Sequence, residues 1–236
     1  MWIGTTTDGA YRLQLDKNEL THPILKGNIT SIYQDSEGEL WIGSWEEGLH
    51  HVKTDGTIEI FEYDAKNPYS ISSNFVRACC EDNLGNIWIG TFNGLNRYDK
   101  STGLFQNHTA SDAQSDGLTH SSIWCIVKDN QGTLWLGTYF GGVNYFNPEY
   151  EIYSRYMYSP IEKKGLSNPV VGRTIEDKDG NLWIGTEGGG LNYYNRRTRE
   201  FKWFRPEIGP NSISHNNIKA LYYDASKDII WIGTHL

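Results

Sequence analysis

Aromatic side chains stand next to carboxylates and amides in several short, glycine-containing loops of the sequence. Aromatic rings stack on the C–H faces of sugar rings, while carboxylates and amides hydrogen-bond the sugar hydroxyl groups. The pattern therefore predicts a site for a carbohydrate or a similar small ligand, although such aromatics could instead cap the gaps between packed sheets. The residues assigned to this loop site are Trp45, Glu46, Phe92, Asn93, Tyr139, Phe140 and Glu187.

A second group of binding candidates lies near the starts of short strands that precede these loops. If those strands line a central channel and begin at the edge that carries the loops, the side chains ring the channel mouth. The alternative is an ordinary solvated lining of the channel. The residues in this group are Arg77, Trp124, Arg173 and Lys219.

The composition excludes several classes of protein. The formal net charge of −8 over 236 residues gives no electrostatic footprint for a nucleic-acid backbone, so no nucleic-acid partner is expected. The sequence has no run of the roughly 18 to 20 apolar residues that a membrane helix needs and no basic-then-apolar leader at Met1. Three cysteines cannot form a disulfide framework, and we expect Cys79 and Cys80 to be buried free thiols.

A phrase of the form W-[IL]-G recurs along the whole chain. Its spacing of 39 to 48 residues is typical of a repeat architecture. Each of the four full units contains a run ending in Asp, a D-x-x-G turn, the LWIG-like run, a glycine, a short apolar run such as LNYY, and an aromatic-rich segment. Asp and Gly suit tight hairpin turns. The tryptophans of the phrase are Trp2, Trp41, Trp88, Trp135, Trp183 and Trp231.

Four short strands in each unit predict an all-β protein, a β-propeller built from four-stranded blades. The LWIG run is apolar at every position, as expected for a strand buried on both faces where blades stack. We expect the glycine of this run to leave room for a tryptophan of the neighbouring blade. The repeated Ile/Leu–Ser/Thr pair in each linker, for example Ile71-Ser72, is predicted to pin the linker in place.

The repeat boundaries predict a single propeller region over residues 1–236. Both ends carry a W-I-G strand, so the ends duplicate one another, and this favours a fragment of a seven-bladed propeller. A closed five-bladed ring is the alternative. The predicted blades are a partial blade at 2–20, full blades at about 28–63, 74–109, 121–158 and 170–205, and a partial blade at 217–236.

The repeated phrase resembles the two-component regulator propeller repeat, as in ITSIYQDSEGELWIGSWEEGLHHV, VRACCEDNLGNIWIGTFNGLNRY and VGRTIEDKDGNLWIGTEGGGLNYY. The resemblance implies the sensor portion of a hybrid two-component histidine kinase, periplasmic and anchored to the inner membrane through its parent protein. It further implies detection of an oligosaccharide and control of polysaccharide-utilisation genes. The sequence departs from such sensors in that its 236 residues show no signal peptide, membrane helix, kinase histidine box or immunoglobulin-like domain.

Catalysis is not predicted. The seven histidines lack metal-ligand spacing, and the EDKDGN run lacks the twelve-residue calcium pattern. The sequence contains no nucleophile elbow or phosphate loop, and its turns differ from the Asp box of sialidase propellers. We therefore expect no catalytic residue, metal or cofactor. A propeller glycosidase or lyase using paired carboxylates such as Glu46, Glu47 and Glu187 is one alternative; a scaffold that binds a protein partner or forms a homodimer is another.

Overall fold

A computed structural model describes residues 1–21, 23–110, 117–148, 152–162, 164–209 and 212–235, with the backbone alone at 152–155. The chain divides into two compact units, Met1–His108 and Thr109–Leu236. The described residues form strands and turns without any α-helix, and none of them builds a helix long and apolar enough to cross a membrane. The all-β prediction is confirmed.

The first unit contains three antiparallel meanders, in which each strand pairs with the next along the chain. The first strands of neighbouring sheets contact one another, which is how propeller blades pack. The three-stranded sheet is β1 (Trp2–Gly4), β2 (Ala10–Gln14) and β3 (Glu19–Leu20). The first four-stranded sheet is β4 (Ile29–Gln34), β5 (Leu40–Ser44), β6 (Leu49–Val52) and β7 (Ile58–Phe61). The second is β8 (Val76–Glu81), β9 (Ile87–Thr91), β10 (Gly94–Asp99) and β11 (Leu104–His108).

The second unit repeats the arrangement with two four-stranded sheets and one two-stranded sheet among its described residues. The first is β12 (Ile123–Lys128), β13 (Leu134–Thr138), β14 (Val143–Asn147) and β15 (Ile152–Tyr156). The second is β16 (Val171–Glu176), β17 (Leu182–Thr186), β18 (Leu191–Asn195) and β19 (Glu200–Phe204). The two-stranded sheet is β20 (Ile218–Asp224) and β21 (Ile229–Thr234). The prediction of one continuous propeller region over 1–236 stays a prediction.

The LWIG strands lie at the centre of the packing. Every residue of β5, β9 and β13 is buried, so these strands are covered on both faces as predicted. In the first unit, Trp41 of β5 packs with Ile87, Ile89 and Tyr98 of the following sheet. In β21, by contrast, Trp231 is 58% exposed, since no described strand covers it.

The glycine of the LWIG run was predicted to leave room for a tryptophan of the neighbouring blade, and this prediction was wrong about the residue that approaches the glycine. A Cβ added at Gly43 would lie 2.7 Å from Cγ1 of Val76, and one added at Gly137 would lie 2.6 Å from Cγ1 of Val171. The first strand of the next sheet, and not its tryptophan-bearing second strand, approaches the glycine. A β-branched residue therefore fills the room that the missing side chain leaves.

The D-x-x-G turns form hairpins whose aspartate has a second use. Asp35 Oδ1 accepts the backbone N–H groups of Glu37 and Glu39, and Gly38 has a φ of 85°, as the turn prediction requires. The other oxygen, Oδ2, accepts the indole N–H of Trp41 at 2.9 Å. The same indole bond recurs from Trp88 to Asp82, from Trp135 to Asp129 and from Trp183 to Asp177. A buried indole donor needs such a partner.

The linkers are held by buried asparagines. Asn96, Asn144 and Asn192 are each 0% exposed. Their Oδ1 atoms accept the backbone N–H of Ser72, Thr119 and Ser167, respectively. The predicted anchoring by the Ile/Leu–Ser/Thr pair is confirmed.

Candidate functional site

Each first strand carries a β-bulge near its start, and the bulge fixes where the candidate residues point. The register shifts by one residue between Val76 and Ala78, and equivalent shifts occur in the first strands of four other sheets that the structure describes. A bulge re-aims the extra side chain and is common beside binding sites. The residues inside the bulges, called bulge residues below, are Thr30, Arg77, Trp124, Gly172 and Lys219.

The loop residue that follows each G-[ST] pair is tied to the chain just before the bulge. In the first unit, the N–H of Trp45 donates to the carbonyl of Asn28, and that of Phe92 to Phe75. In the second unit, the N–H of Tyr139 donates to Ser122, and that of Glu187 to Val170. These bonds hold the loop residue next to the bulge in each four-stranded sheet, and we call this side of each unit its loop edge.

The loop edge of the first unit carries an arginine–aromatic cluster made of Trp45, Phe75, Arg77 and Phe92. The guanidinium carbon of Arg77 lies 4.4 Å from the ring centre of Trp45 and 4.9 Å from that of Phe92. The three aromatic rings meet edge to face, with centres 5.5–5.8 Å apart. Cation–π contacts of this kind contribute about 0.5–2 kcal/mol each. They hold the guanidinium in place, while Phe92 stays 38% exposed.

The loop edge of the second unit carries a tryptophan–tyrosine cluster made of His120, Trp124, Tyr139 and Phe140. The rings of Trp124 and Tyr139 stack with centres 5.0 Å apart and an interplanar angle of 15°. Phe140 packs against Tyr139 at 4.3 Å and is 56% exposed. His120 meets both of them edge to face. The stack gives a flat, partly exposed platform of the kind that sugar rings contact.

The charged candidates of the second unit follow the platform along the chain. Lys219 Nζ lies 2.5 Å from Glu187 Oε1, so this pair joins the β17–β18 loop to the bulge of β20. Arg173 stands one position beyond its bulge, and its Nη1 donates to the carbonyl of Gly172 at 2.7 Å. The sequence grouping placed Arg173 with Arg77, Trp124 and Lys219, whereas Gly172 is the residue in the equivalent position.

The remaining two predicted residues stand at the exposed tips of the first unit's loops. The N–H of Asn93 donates to Thr91 Oγ1, and its Nδ2 approaches the carbonyl of Ser72 at 3.5 Å. These contacts support the loop itself. Glu46 is exposed beside Trp45.

Sequence reasoning missed Phe75 and His120, which complete the two clusters. Neither is adjacent in sequence to the loop aromatics that it contacts. The sequence could have indicated Phe75, which lies two residues before Arg77. Alignment of the repeats puts this position beside the loop in each four-stranded sheet.

Groups away from the loop edges do not form a reactive centre in the part of the chain that the structure describes. All three cysteines are free and buried, and burial raises the pKa of Cys79 to about 12 and also raises the pKa of Cys125. Asp35, Glu37 and Glu39 could together hold a cation. However, Lys100 Nζ lies 3.0 Å from Asp35 Oδ2 and from Glu37 Oε2, so a positive charge already neutralises that group.

The comparison with protein families agrees with the fold. Four segments match the two-component regulator propeller repeat, at residues 23–46, 70–93, 117–140 and 165–188. Each runs from a linker through the bulged first strand and the LWIG strand to the loop. The class is therefore a β-propeller built from sequence repeats. The chain carries four two-component regulator propeller repeats.

Solved structures show the same fold at low sequence identity. Two are described as extracellular domains of hybrid two-component systems from B. thetaiotaomicron, with TM-scores of 0.66 and 0.63 and identities of 19% and 21%. The match covers 99% of this chain and 37% of each of those chains, so the sequence spans just over a third of their length. A streptogramin B lyase gives a TM-score of 0.72 at 12% identity, covering 99% of this chain and 72% of its own. No functionally curated protein matches the sequence.

Proposed function

We propose that this chain is part of the ligand-sensing, extracytoplasmic propeller of a hybrid two-component sensor histidine kinase. On this proposal the propeller lies in the periplasm and its parent protein is anchored in the inner membrane. It binds an oligosaccharide and thereby regulates genes for polysaccharide use. The family repeats and the likeness to extracellular domains of such systems support the sensor assignment.

The ligand assignment depends on one observation: partly exposed aromatic rings cluster at the loop edge of each unit. The bulge and the loop residue are fixed by the fold in each four-stranded sheet, yet the side chains at these positions differ from sheet to sheet. A rigid scaffold with variable residues on one edge is typical of binding surfaces. The stacked Trp124 and Tyr139 rings with the exposed Phe140 suit the apolar face of a sugar.

The test is a screen of plant and host oligosaccharides by isothermal titration calorimetry on the intact sensor. We expect saturable binding by at least one glycan. Replacement of Trp124 by Ala should weaken it about tenfold, because truncation of an aromatic side chain at the centre of a binding site costs on the order of 1–2 kcal/mol. The control is Leu84→Ala: Leu84 is 64% exposed but stands in a D-x-x-G turn. Equal affinity of the wild type and the Trp124 variant for the glycan would contradict the placement of the sugar site at the loop edge.

A second candidate function is a lyase or hydrolase, which the fold shared with streptogramin B lyase brings into consideration. That likeness concerns the fold alone. Chromatography of each glycan after incubation with the sensor distinguishes the two functions. We expect unaltered sugars, and release of cleaved product would favour the enzyme.

A further inference from the structure

A cleft in the first unit lies beside the β10–β11 hairpin, and we call it the hairpin cleft. Its volume is about 420 Å³, within the range of about 300–1,000 Å³ that is typical of small-molecule sites. Strand β10 begins at Gly94, next to the loop edge, and ends at Asp99, so the hairpin lies at the opposite edge of the unit. The lining of the cleft includes Tyr69, Arg97, Asp99, Leu104, Gln106 and Asn107.

Arg97 is a half-buried cation in the wall of this cleft. Among the residues that the structure describes, no carboxylate lies within ion-pair distance of its guanidinium, and its Nε is buried without a hydrogen-bond partner. Lys100, three residues further on, lies 3.0 Å from carboxylate oxygens of Asp35 and Glu37. A buried donor that lacks an acceptor costs free energy and calls for an explanation.

The packing of the sheet does not depend on a charge at position 97. Arg97 of the third strand pairs with Trp88 of the LWIG strand. A neutral aromatic or imidazole ring takes the same place in the other four-stranded sheets, where the equivalent residues are His51, Tyr145 and Tyr193. The arginine therefore has a reason other than the fold.

The acid nearest to Arg97 along β10 is used elsewhere. Asp99 lines the same cleft, but its Oδ1 accepts the backbone N–H and the hydroxyl group of Ser101 at 2.8 and 2.6 Å. These bonds hold the carboxylate in the hairpin turn. A carboxylate that neutralises Arg97 must therefore come from a ligand.

We propose that the hairpin cleft binds a sugar that carries a carboxylate, with Arg97 as the residue that binds the acid group. A guanidinium binds a carboxylate through two parallel, charge-assisted hydrogen bonds, which are about twice as strong as neutral ones. Gln106 pairs with Arg97 across β10 and β11. Side chains directly opposite one another lie about 4.5–5.5 Å apart at Cβ, so the Gln106 carboxamide stands beside the guanidinium, where it binds a ring hydroxyl group.

The remaining walls of the cleft suit the body of a sugar ring. Tyr69 is 56% exposed and Leu104 is 44% exposed, and both offer apolar surface. The carbonyl of Tyr69 accepts the N–H of Phe105 at 3.1 Å, which holds Tyr69 against the outer strand. Asn107 is fixed in the same way, because its Nδ2 donates to the carbonyl of Ser70 at 3.0 Å. Apolar surface with a few fixed polar groups is typical of small-ligand sites.

This inference goes beyond the proposed function, because the hairpin cleft lies at the edge opposite the loop edge and does not depend on the loop-edge site. It adds a second binding site and the chemical class of its ligand.

The experiment uses probes that separate the acid group from the sugar ring. Glucuronate, glucose and cyclohexanecarboxylate are titrated into the intact sensor, with galacturonate and galactose as a second pair, and binding is followed by calorimetry and saturation-transfer NMR. We expect at least one uronate to bind about tenfold or more tightly than its neutral counterpart, as for one charge-assisted hydrogen bond. It should also bind more tightly than cyclohexanecarboxylate, which lacks the hydroxyl groups.

Arg97→Gln should remove the preference for the uronate. Arg197→Gln is the matched control, because Arg197 is exposed in the β18–β19 hairpin and the substitution changes the net charge equally. Without sugar, Arg97→Gln should melt no lower than wild type, since it removes a half-buried charge that lacks a partner. A large loss of melting temperature would show that Arg97 serves the fold and would overturn the inference.

A second variant tests the cleft without touching the charge. Gln106 is exposed, so Gln106→Ala should leave the melting temperature unchanged and weaken uronate binding about threefold or more, as for one lost neutral hydrogen bond. No uronate preference in the wild type, or a preference that survives Arg97→Gln, would overturn the inference. Equal affinity for cyclohexanecarboxylate and the uronate would overturn the assignment to a sugar.

Trp124→Ala distinguishes this inference from the proposed function. We expect that variant to keep the uronate preference that depends on Arg97. If uronate binding depends on Trp124 and not on Arg97, the hairpin cleft fails and the loop-edge site stands. If binding depends on Arg97 while no oligosaccharide responds to Trp124→Ala, the loop-edge site fails and the hairpin cleft stands.

Discussion

At the residue scale, the aspartate of each D-x-x-G turn does more than end a strand. Asp35 is buried, yet it accepts two backbone N–H groups, the Trp41 indole and the Lys100 ammonium. Burial by itself would raise the pKa of Asp35, but the hydrogen bonds from Trp41 and Lys100 outweigh it and hold the pKa below its usual value. The sequence indicated the turn but not this convergence, because Lys100 is 65 residues away along the chain.

The lowered pKa of Asp35 makes the Lys100 contact dependent on pH. A carboxylate whose folded-state pKa lies below its unfolded value contributes stability above the unfolded value and loses it as the pH falls through the folded one. We expect Lys100→Met to reduce the free energy of unfolding at pH 7 by about 1–2 kcal/mol. This difference from wild type should shrink below about pH 4.

The measurement for Lys100 is urea unfolding from acidic to mildly alkaline pH. Lys53→Met serves as control, because Lys53 pairs with Glu59 where both side chains are at least a third exposed and such pairs contribute about 0–1 kcal/mol. A Lys100 effect that stays constant down to the lowest pH would contradict the ion-pair explanation.

The buried thiols give a second prediction at the residue scale. Burial raises the pKa of Cys79 to about 12, so at pH 8 very little of this thiol is in the reactive thiolate form. We expect negligible reaction of the native chain with a disulfide reagent over an hour, and reaction of all the cysteines after denaturation. Fast labelling of the native chain would show that the strands around β8 open.

At the scale of the strand, packing between sheets requires a glycine at some positions and leaves room for a side chain at others. A Cβ at Gly137 would lie 2.5 Å from Cys125 Sγ and 2.6 Å from Val171 Cγ1, so the contact between successive sheets depends on the missing side chain. Overpacking of this kind costs about 1–3 kcal/mol. We therefore expect Gly137→Ala to lower stability by that amount in denaturant unfolding. Gly172→Ala is the matched control and should cause no loss, because a Cβ there would lie 3.7 Å from the carbonyl oxygen of Ile218, an ordinary contact. Equal losses for the two variants would contradict the packing argument.

The buried linker asparagines give a second prediction at this scale. Asn192 accepts the N–H of Ser167 at 2.8 Å and donates to the carbonyl of Ile184 at 3.3 Å. Asn192→Ala leaves both backbone groups without these partners, at a cost of about 1–3 kcal/mol each. Calorimetric melting should show a clearly lowered transition, whereas Asn83→Ala, at an exposed turn position, should leave it unchanged. A melting temperature unaffected by Asn192→Ala would mean that the anchor adds no stability.

Ligand binding at the scale of the whole molecule should appear as added stability. A ligand that binds only the folded state adds about 2.7 kcal/mol when present at about a hundred times its dissociation constant. We expect a sugar identified by the screen to raise the melting temperature of the intact sensor and the Trp124→Ala variant to lose most of that rise. A rise of equal size in both proteins would show that the sugar binds elsewhere.

The sequence by itself determined the elements of this protein. The recurring tryptophan phrase specified the strand order, the turn type and the doubly buried LWIG strand, because these depend on local hairpin chemistry and on periodic burial. It also placed the loop aromatics on one edge, since alternate connections of a meander lie at the same end. For the same reason it could predict most members of both clusters.

Only the tertiary structure decided which side chains meet. A bulge shifts the facing of a strand by one residue, so whether Gly172 or Arg173 stands at the edge depends on backbone pairing that the residue pattern does not reveal. The Arg77–Trp45 contact, the Asp35–Lys100 pair and the valine against the Gly43 backbone all join different sheets. Their geometry follows from how neighbouring sheets pack, and packing distances between sheets are not encoded in the spacing within one repeat.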